Sequence, residues 1–159
     1  MAGLTEQFII EAEAVKSGVH VTQTAEVVQI IKKLVGDVSP EKIYDTRHQG
    51  AIERAKLAQM EIGISDMVAG IADTGSLIVD LSRSDHLVSL LPQSHIAIVR
   101  EADLFGTLSD YLTSGQAPLR YTQITGPSKT ADIEKVLVYG AHGPVRLDIV
   151  LIRNEQKLN

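Results

Sequence analysis

Three short loops of this chain combine glycine with side chains that can bind an anion or carry a proton. The first is Asp73-Thr74-Gly75-Ser76, which precedes an apolar run. Gly75 permits a positive φ or a close approach to a ligand, and the hydroxyls of Thr74 and Ser76 can donate hydrogen bonds to a carboxylate or phosphate. Asp, Thr, Gly and Ser are equally typical of a plain turn, so both interpretations stay open.

The second loop contains Gly126 and Ser128 and is followed by Lys129 and Thr130. A helix-sized segment, residues 131–139, comes next. Ser128 or Thr130 can cap such a helix, whose free N–H groups and positive dipole would favour an anion, and Lys129 adds a mobile charge. Helix capping alone also explains the two hydroxyl residues. The glycine spacing is not that of a P-loop.

The third loop places His142 before Gly143, within the segment 140–144. An imidazole in a loop can carry a proton near neutral pH, donate to an anion, or tie the loop to its own backbone. A structural role and a ligand contact both stay open for His142. No pair of histidines has a spacing typical of a metal site, and His95, near a strand start, is expected to be structural.

Strands and helices alternate along the chain, which predicts how these loops are positioned. The strand at 119–125, the helix at 131–139 and the strand at 147–152 would form a βαβ unit, typical of a parallel sheet. Residues 66–73 are ambiguous between helix and strand. The remaining predicted helices are 4–17, 24–35, 51–60 and one capped by Asp103 that ends at Ser114; the remaining predicted strands are 19–22, 43–45, 77–81 and 95–99.

The predicted fold class is α/β, an open, mostly parallel sheet with helices on both faces. Ligands of such folds bind beyond the carboxyl ends of the strands. We therefore expect loops 73–76, 126–130 and 142–144 to converge on one crevice at that edge. The third loop would have to run back along the sheet to reach it.

The composition of the chain excludes several classes of function. The 159 residues predict one domain, and a net charge of −5 argues against a nucleic-acid binder. There is no cysteine, which excludes disulfides, thiolate nucleophiles and clusters held by thiolates. The acidic beginning is unlike a secretory signal, and no uncharged apolar run approaches the length of a membrane span, so a cytoplasmic location is expected.

Two blocks of the sequence resemble a known family. ITGPSKTADIE followed by YGAHGP, and upstream GIADTGSLIVDLSRSDHLVSLLPQSHIAIV, are similar to the lactate utilization protein C family, the LUD domain. The resemblance implies one LUD-like domain over residues 1–159 and the superfold of sugar-phosphate isomerases and coenzyme A transferases. The beginning of the chain looks shorter than is usual for that family.

The resemblance also implies a function: an accessory subunit of a bacterial iron–sulfur system that oxidises L-lactate to pyruvate. Its partners would be the iron–sulfur proteins of that system, with no cofactor in this chain and with clusters only in the partner subunits. A small anionic ligand is compatible with this role. Two alternatives stay open: an isomerase- or transferase-like enzyme acting on a small anion, and a ligand-sensing domain without chemistry. Whether the chain is an enzyme is left undecided, because no nucleophile, base and orienting residue stand together in the sequence.

Overall fold

The computed structural model of the chain describes residues 3–83, 85–131, 137–139 and 143–154. Its α-helices are α1 (Leu4–Ala14), α2 (Val27–Val35), α3 (Arg54–Leu57) and α4 (Leu108–Thr113). Its strands are β1 (Gly18–Thr22), β2 (Ile43–Asp45), β3 (Ile62–Asp66), β4 (Ala69–Ile71), β5 (Ser76–Asp80), β6 (Ser94–Arg100), β7 (Leu104–Phe105), β8 (Tyr121–Ile124), β9 (Lys129–Ala131), β10 (Leu137–Tyr139) and β11 (Arg146–Ile152). Short 3-10 helices lie at Thr24–Glu26, Pro40–Lys42, His86–Ser89 and Glu101–Asp103.

Five parallel strands form the central sheet in the order β1-β11-β6-β3-β2. The long strand β11 lies in its interior, between the first strand of the chain and β6. All residues of β11 after Arg146 are buried, as expected for a parallel strand that is covered on both faces. The prediction of a mostly parallel α/β sheet is confirmed.

Apolar layers cover the two faces of this sheet. On one face Val27 and Ile31 of α2 pack against Ile96, Ile98 and Val150. On the other face, Phe8 and Ala12 of α1 are fully buried against alternate residues of β6 and β11. A helix therefore lies on each face, as the fold class predicts.

A second sheet shares the α1 face and was not predicted. It has the order β7-β4-β5-β8, in which β5 pairs antiparallel with both β4 and β8. Leu77 and Val79 of β5 point to the central sheet, whereas Ile78 packs with Tyr111 of α4. The segment 66–73, ambiguous by periodicity, contains the short strand β4.

The predicted βαβ unit is wrong. Strand β8 belongs to the second sheet and β11 to the central sheet, so they are not parallel neighbours. The segment predicted as a helix, 131–139, contributes instead to an antiparallel pair, with β10 opposite β9 in a separate two-stranded sheet. Val138 and Tyr139 of β10 are residue types with a high strand propensity, which prevails over the helical spacing of this segment.

Two further helices differ from their predicted bounds. The helix predicted from Asp103 begins at Leu108, because Thr107 and Asp110 form a reciprocal capping box there. Leu104–Phe105 is a strand that pairs with β4. The helix predicted at 51–60 is the single turn α3. In the part of the chain that is described, no helix has the length and apolarity needed to cross a membrane.

Candidate functional site

The first glycine loop is held against the end of α1. Gly75 has a φ of +61°, and a Cβ at this position would overlap the backbone nitrogen of Ala12. The hydroxyl of Ser76 donates to Thr74 Oγ1 at 2.8 Å and also lies 2.7 Å from Thr125 Oγ1. Gly75 therefore serves the packing of α1, and the polar side chains of the loop bond to one another and to the second loop.

The second glycine loop contacts the same helix end. Gly126 has a φ of +72°, and a Cβ there would overlap the carbonyl oxygen of Val15. No helix begins at this loop, because Lys129 and Thr130 lie in β9. The predicted helix N-terminus is therefore wrong, and anion binding by Ser128, Lys129 and Thr130 stays a prediction. Both glycines are required because two loops and a helix end approach one another closely.

The second and third loops are joined by a backbone hydrogen bond. The N–H of Ser128 donates to the carbonyl oxygen of Pro144 at 2.8 Å. A Cβ on Gly143 would lie 3.1 Å from Ser128 Cβ, closer than an ordinary van der Waals contact, so glycine at 143 allows the two loops to approach closely. His142 lies outside the described residues. The predicted contiguity of the three loops is thus seen for 73–76, 126–128 and 143–144.

Their position in the fold differs from the prediction. The N–H of Val145 donates to the carbonyl oxygen of Gln93, and these two residues precede β11 and β6. The joined loops therefore lie at the amino ends of the central strands. The expected location at the carboxyl ends is wrong, because the chain from β8 to β11 passes through a hairpin and enters the central sheet from the amino side.

A cleft of about 600 Å³ opens beside the second and third loops. Its walls combine apolar side chains, hydroxyls and one imidazole, and they include Gly126, Ser128 and Gly143 of the predicted site. Residues 73–76 do not line it. The described residues that line the cleft are Leu81, His86, Leu87, Ser89, Leu90, Thr122, Gln123, Ile124, Thr125, Gly126, Pro127, Ser128, Gly143 and Pro144.

The cleft wall formed by Leu87 and Leu90 was not anticipated as part of a site. The apolar run before Pro92 was its only sequence signal. Among the described lining residues, His86 is the only one with a titratable side chain, and its Nδ1 lies 2.6 Å from the carbonyl oxygen of Arg83. The arrangement offers hydroxyls, backbone groups and apolar contacts.

Comparison with known proteins identifies the family. The chain matches the LUD domain over residues 37–152. It belongs to the LUD-domain family. It is 32% identical over 113 residues to lactate utilization protein C of Deinococcus radiodurans, covering 67% of this chain and 53% of that protein. It is 36% identical over 109 residues to lactate utilization protein C of Bacillus subtilis, covering 61% of this chain and 44% of that protein.

A solved structure shows the same fold. The crystal structure of a DUF162 family protein from Deinococcus radiodurans superposes with a TM-score of 0.74, with 21% sequence identity, over 94% of this chain and 96% of that one. By contrast, the chain spans about half the length of the two lactate utilization proteins C.

A buried histidine links two strands in the core of the LUD domain. His95 of β6 is almost fully buried, and its Nε2 lies 2.8 Å from Ser65 Oγ of β3. Burial lowers the pKa of His95 to about 4, so the imidazole is neutral at physiological pH. His95 therefore acts as a packing residue that links two central strands, in agreement with its predicted structural role.

A second histidine joins β1 to β11. His20 Nε2 lies 2.8 Å from Asp148 Oδ1, and Arg146 Nε lies 2.5 Å from Oδ2 in a contact that is not aligned as a hydrogen bond. Gly18 leaves the space that this pair occupies. The pairing could not be read from the sequence, because its members come from opposite ends of the chain. Among the described residues, no group of three or more His, Cys, Asp or Glu side chains could hold a metal ion.

Paired charges occupy the carboxyl ends of β2 and the segment after β5. Arg47 donates to both carboxylate oxygens of Asp45, at 2.9 and 2.6 Å. Burial raises the pKa of Asp45, but the hydrogen bonds from Arg47 outweigh burial and the net pKa is lowered. Arg83 likewise donates to both oxygens of Asp85, at 3.1 and 3.0 Å. The edge where a ligand crevice was expected thus contains salt-bridged side chains.

Proposed function

We propose that this LUD domain acts in lactate utilization, as an accessory subunit of a bacterial iron–sulfur system that oxidises L-lactate to pyruvate. The observation that carries the proposal is the family match over residues 37–152, together with relatives named lactate utilization protein C. The matches extend over about half the length of those relatives, and they support a role for this chain in the same process.

The chemistry of the chain favours an accessory role over electron transfer. Oxidation of lactate to pyruvate releases two electrons, which iron–sulfur clusters can accept one at a time. Such clusters are held mainly by cysteine thiolates, and this sequence has no cysteine. The clusters would accordingly reside in the partner subunits, and this chain would contribute binding or assembly.

A small carboxylate ligand would fit the polar end of the cleft, where Ser128 meets Gly143. The lining carries neither an ammonium nor a guanidinium group among the described residues. An anion would therefore be held by hydroxyl and backbone N–H donors rather than by a fixed charge. Lys129 follows Ser128 directly in the sequence.

Growth of the host organism tests the role in lactate utilization. Deletion of the gene is expected to abolish growth on L-lactate and to leave growth on pyruvate unchanged, because pyruvate is the product of the proposed reaction. Expression of the intact chain from a plasmid should restore growth. Normal growth of the deletion strain on L-lactate would refute the proposal.

Purification of the tagged chain tests the accessory assignment. Iron and acid-labile sulfide are expected in the complex isolated from lactate-grown cells, and they should leave with the partner proteins when the complex is dissociated. The separated chain should not oxidise L-lactate with a soluble electron acceptor. Turnover by the separated chain would instead favour the enzyme alternative.

Calorimetric titration with L-lactate, pyruvate and inorganic phosphate tests whether the cleft binds a small anion. Ser128→Ala should weaken binding roughly tenfold, which corresponds to one hydrogen bond to a charged group, with unfolding free energy within about 1 kcal/mol of wild type. Ser109→Ala, on the exposed face of α4, serves as the matched control. If the wild-type protein binds none of the three anions, the ligand part of the proposal fails.

A further inference from the structure

Strand β8 ends the second sheet. In the order β7-β4-β5-β8 it pairs with β5 on one side, and no described residue pairs with its other side. An open strand edge presents backbone donors and acceptors in a row and can template the pairing of another chain.

The hydrogen bonds of the second sheet identify which backbone groups face outward. The N–H of Val68 donates to the carbonyl oxygen of Ile78, so the backbone of Ile78 faces β4. Ile78 is opposite Gln123 in the β5–β8 register, and Tyr121 is two residues away on the same strand. Because bonded and non-bonded pairs alternate in an antiparallel ladder, the N–H and C=O groups of Tyr121 and Gln123 point away from β5.

The cleft lies directly beside this edge. It is lined by residues 122–125 in succession. Since successive residues of a strand point to opposite faces, a cavity that meets four in a row lies off the edge of the strand rather than on one face. The lining also includes Leu87 and Leu90, and the side chain of Leu90 is 49% exposed.

The absence of charged groups from the lining restricts which side chains of a bound peptide can enter the cleft. Among the described residues, the cleft contains no carboxylate, ammonium or guanidinium group. A charged side chain placed against the leucines, away from the hydroxyls at Ser128, would lose water without gaining a counter-charge or a hydrogen bond. Apolar, uncharged side chains match the leucine wall.

We propose that the open edge of β8 binds an extended segment of a partner protein by strand addition. The backbone of that segment pairs with Tyr121 and Gln123, and every second side chain, apolar and uncharged, enters the cleft. Backbone pairing of this kind supplies affinity, and the pockets for alternate side chains supply specificity. The inference rests on the β8 edge alone and is independent of the role in lactate utilization.

A random heptapeptide library displayed on phage tests this proposal. The library is selected on Gln123→Ala, which keeps the outward N–H, and the selected peptides are then compared on Gln123→Pro, which removes it. The outward N–H is not part of the β5–β8 ladder, and proline is tolerated on edge strands, so the sheet should survive. Selected peptides are expected to carry apolar residues at alternate positions.

Fluorescence anisotropy then measures one selected peptide and its N-methylated analogue. Wild type and Gln123→Ala should bind the peptide with equal affinity, and Gln123→Pro should bind it at least about tenfold more weakly. The N-methylated analogue should bind weakly to all three proteins. If Gln123→Pro does not fold, Leu90→Lys takes its place. It leaves β8 intact, puts an ammonium in the neutral cleft, and should weaken binding by at least about tenfold.

Three results would overturn the proposal. The first is a library that yields no enriched peptide. The second is a set of enriched peptides that bind Gln123→Pro as tightly as wild type. The third is a wild-type protein that sediments as a dimer without peptide while Gln123→Pro sediments as a monomer, which would assign the edge to a second copy of this chain.

Discussion

The buried imidazole of His95 makes the stability of this protein depend on pH. Its pKa is lowered by burial from 6.5 to about 4 in the folded state. Between these two values the unfolded chain binds the proton more tightly than the folded one. The contribution of neutral His95 to the free energy of unfolding is therefore fully present above about pH 7. It falls as the pH drops through 6.5 and levels off below about pH 4.

The size of the effect follows from the separation of the two pKa values. One pKa unit corresponds to about 1.4 kcal/mol, so the full effect is about 3 kcal/mol, and about 2 kcal/mol is already lost at pH 5. Against a typical stability of roughly 5–15 kcal/mol, this is a large fraction.

Urea unfolding at about pH 7.5 and pH 5 measures the effect, with His95→Gln as the comparison. Glutamine does not titrate, and its side-chain amide can still bond to Ser65. Wild type should lose about 2 kcal/mol more than the variant between the two pH values. Other titrating groups contribute equally to both proteins and cancel in the comparison. An identical loss in both proteins would show that the pKa of His95 is not lowered in the folded state.

Two further substitutions test the packing of the loops and of α4. Gly75→Ala should cost more than about 2 kcal/mol because the methyl group meets α1, whereas Gly115→Ala, with φ +76° and open space around it, should cost about 1 kcal/mol. Equal losses in urea unfolding would contradict the close approach of α1. Thr107→Ala removes the capping box of α4 and should cost about 1 kcal/mol. Ser109→Ala is its control, and a similar loss there would mean that the cap contributes nothing.

Local patterns were sufficient where an element's own residues determine its structure. The apolar spacing of α1 and α2 and the continuous apolar run of β11 predicted a parallel α/β core. Local patterns did not predict the strand pairing at 131–139, which prevails over helical spacing. They also did not predict the second sheet, whose strands are defined by their antiparallel partners. Such partners are chosen by tertiary contacts that no local window contains.

The candidate site was predictable only in part for the same reason. Glycine, hydroxyl residues and turns correctly marked three loops that meet. The role of Gly75 and Gly126 depends on a helix end about 60 residues or more away in sequence, and a sequence pattern does not contain that information. The edge of the sheet was predicted wrongly because the prediction depended on a crossover helix over 131–139, whereas Ala131 and Leu137–Tyr139 lie in strands.

The position of β11 has a consequence for synthesis on the ribosome. β1 leaves the ribosome before β11, its neighbour in the central sheet, and residues 23–145 separate them. At roughly 5–20 residues per second, β1 and the facing edge of β6 wait about 6–25 s before β11 can fill the gap between them. During that interval the nascent chain carries two open apolar edges, and every chain halted before Arg146 would keep them. We expect such truncated chains to aggregate or to occupy chaperones, while a chain completed through Ile152 closes the sheet in a single insertion.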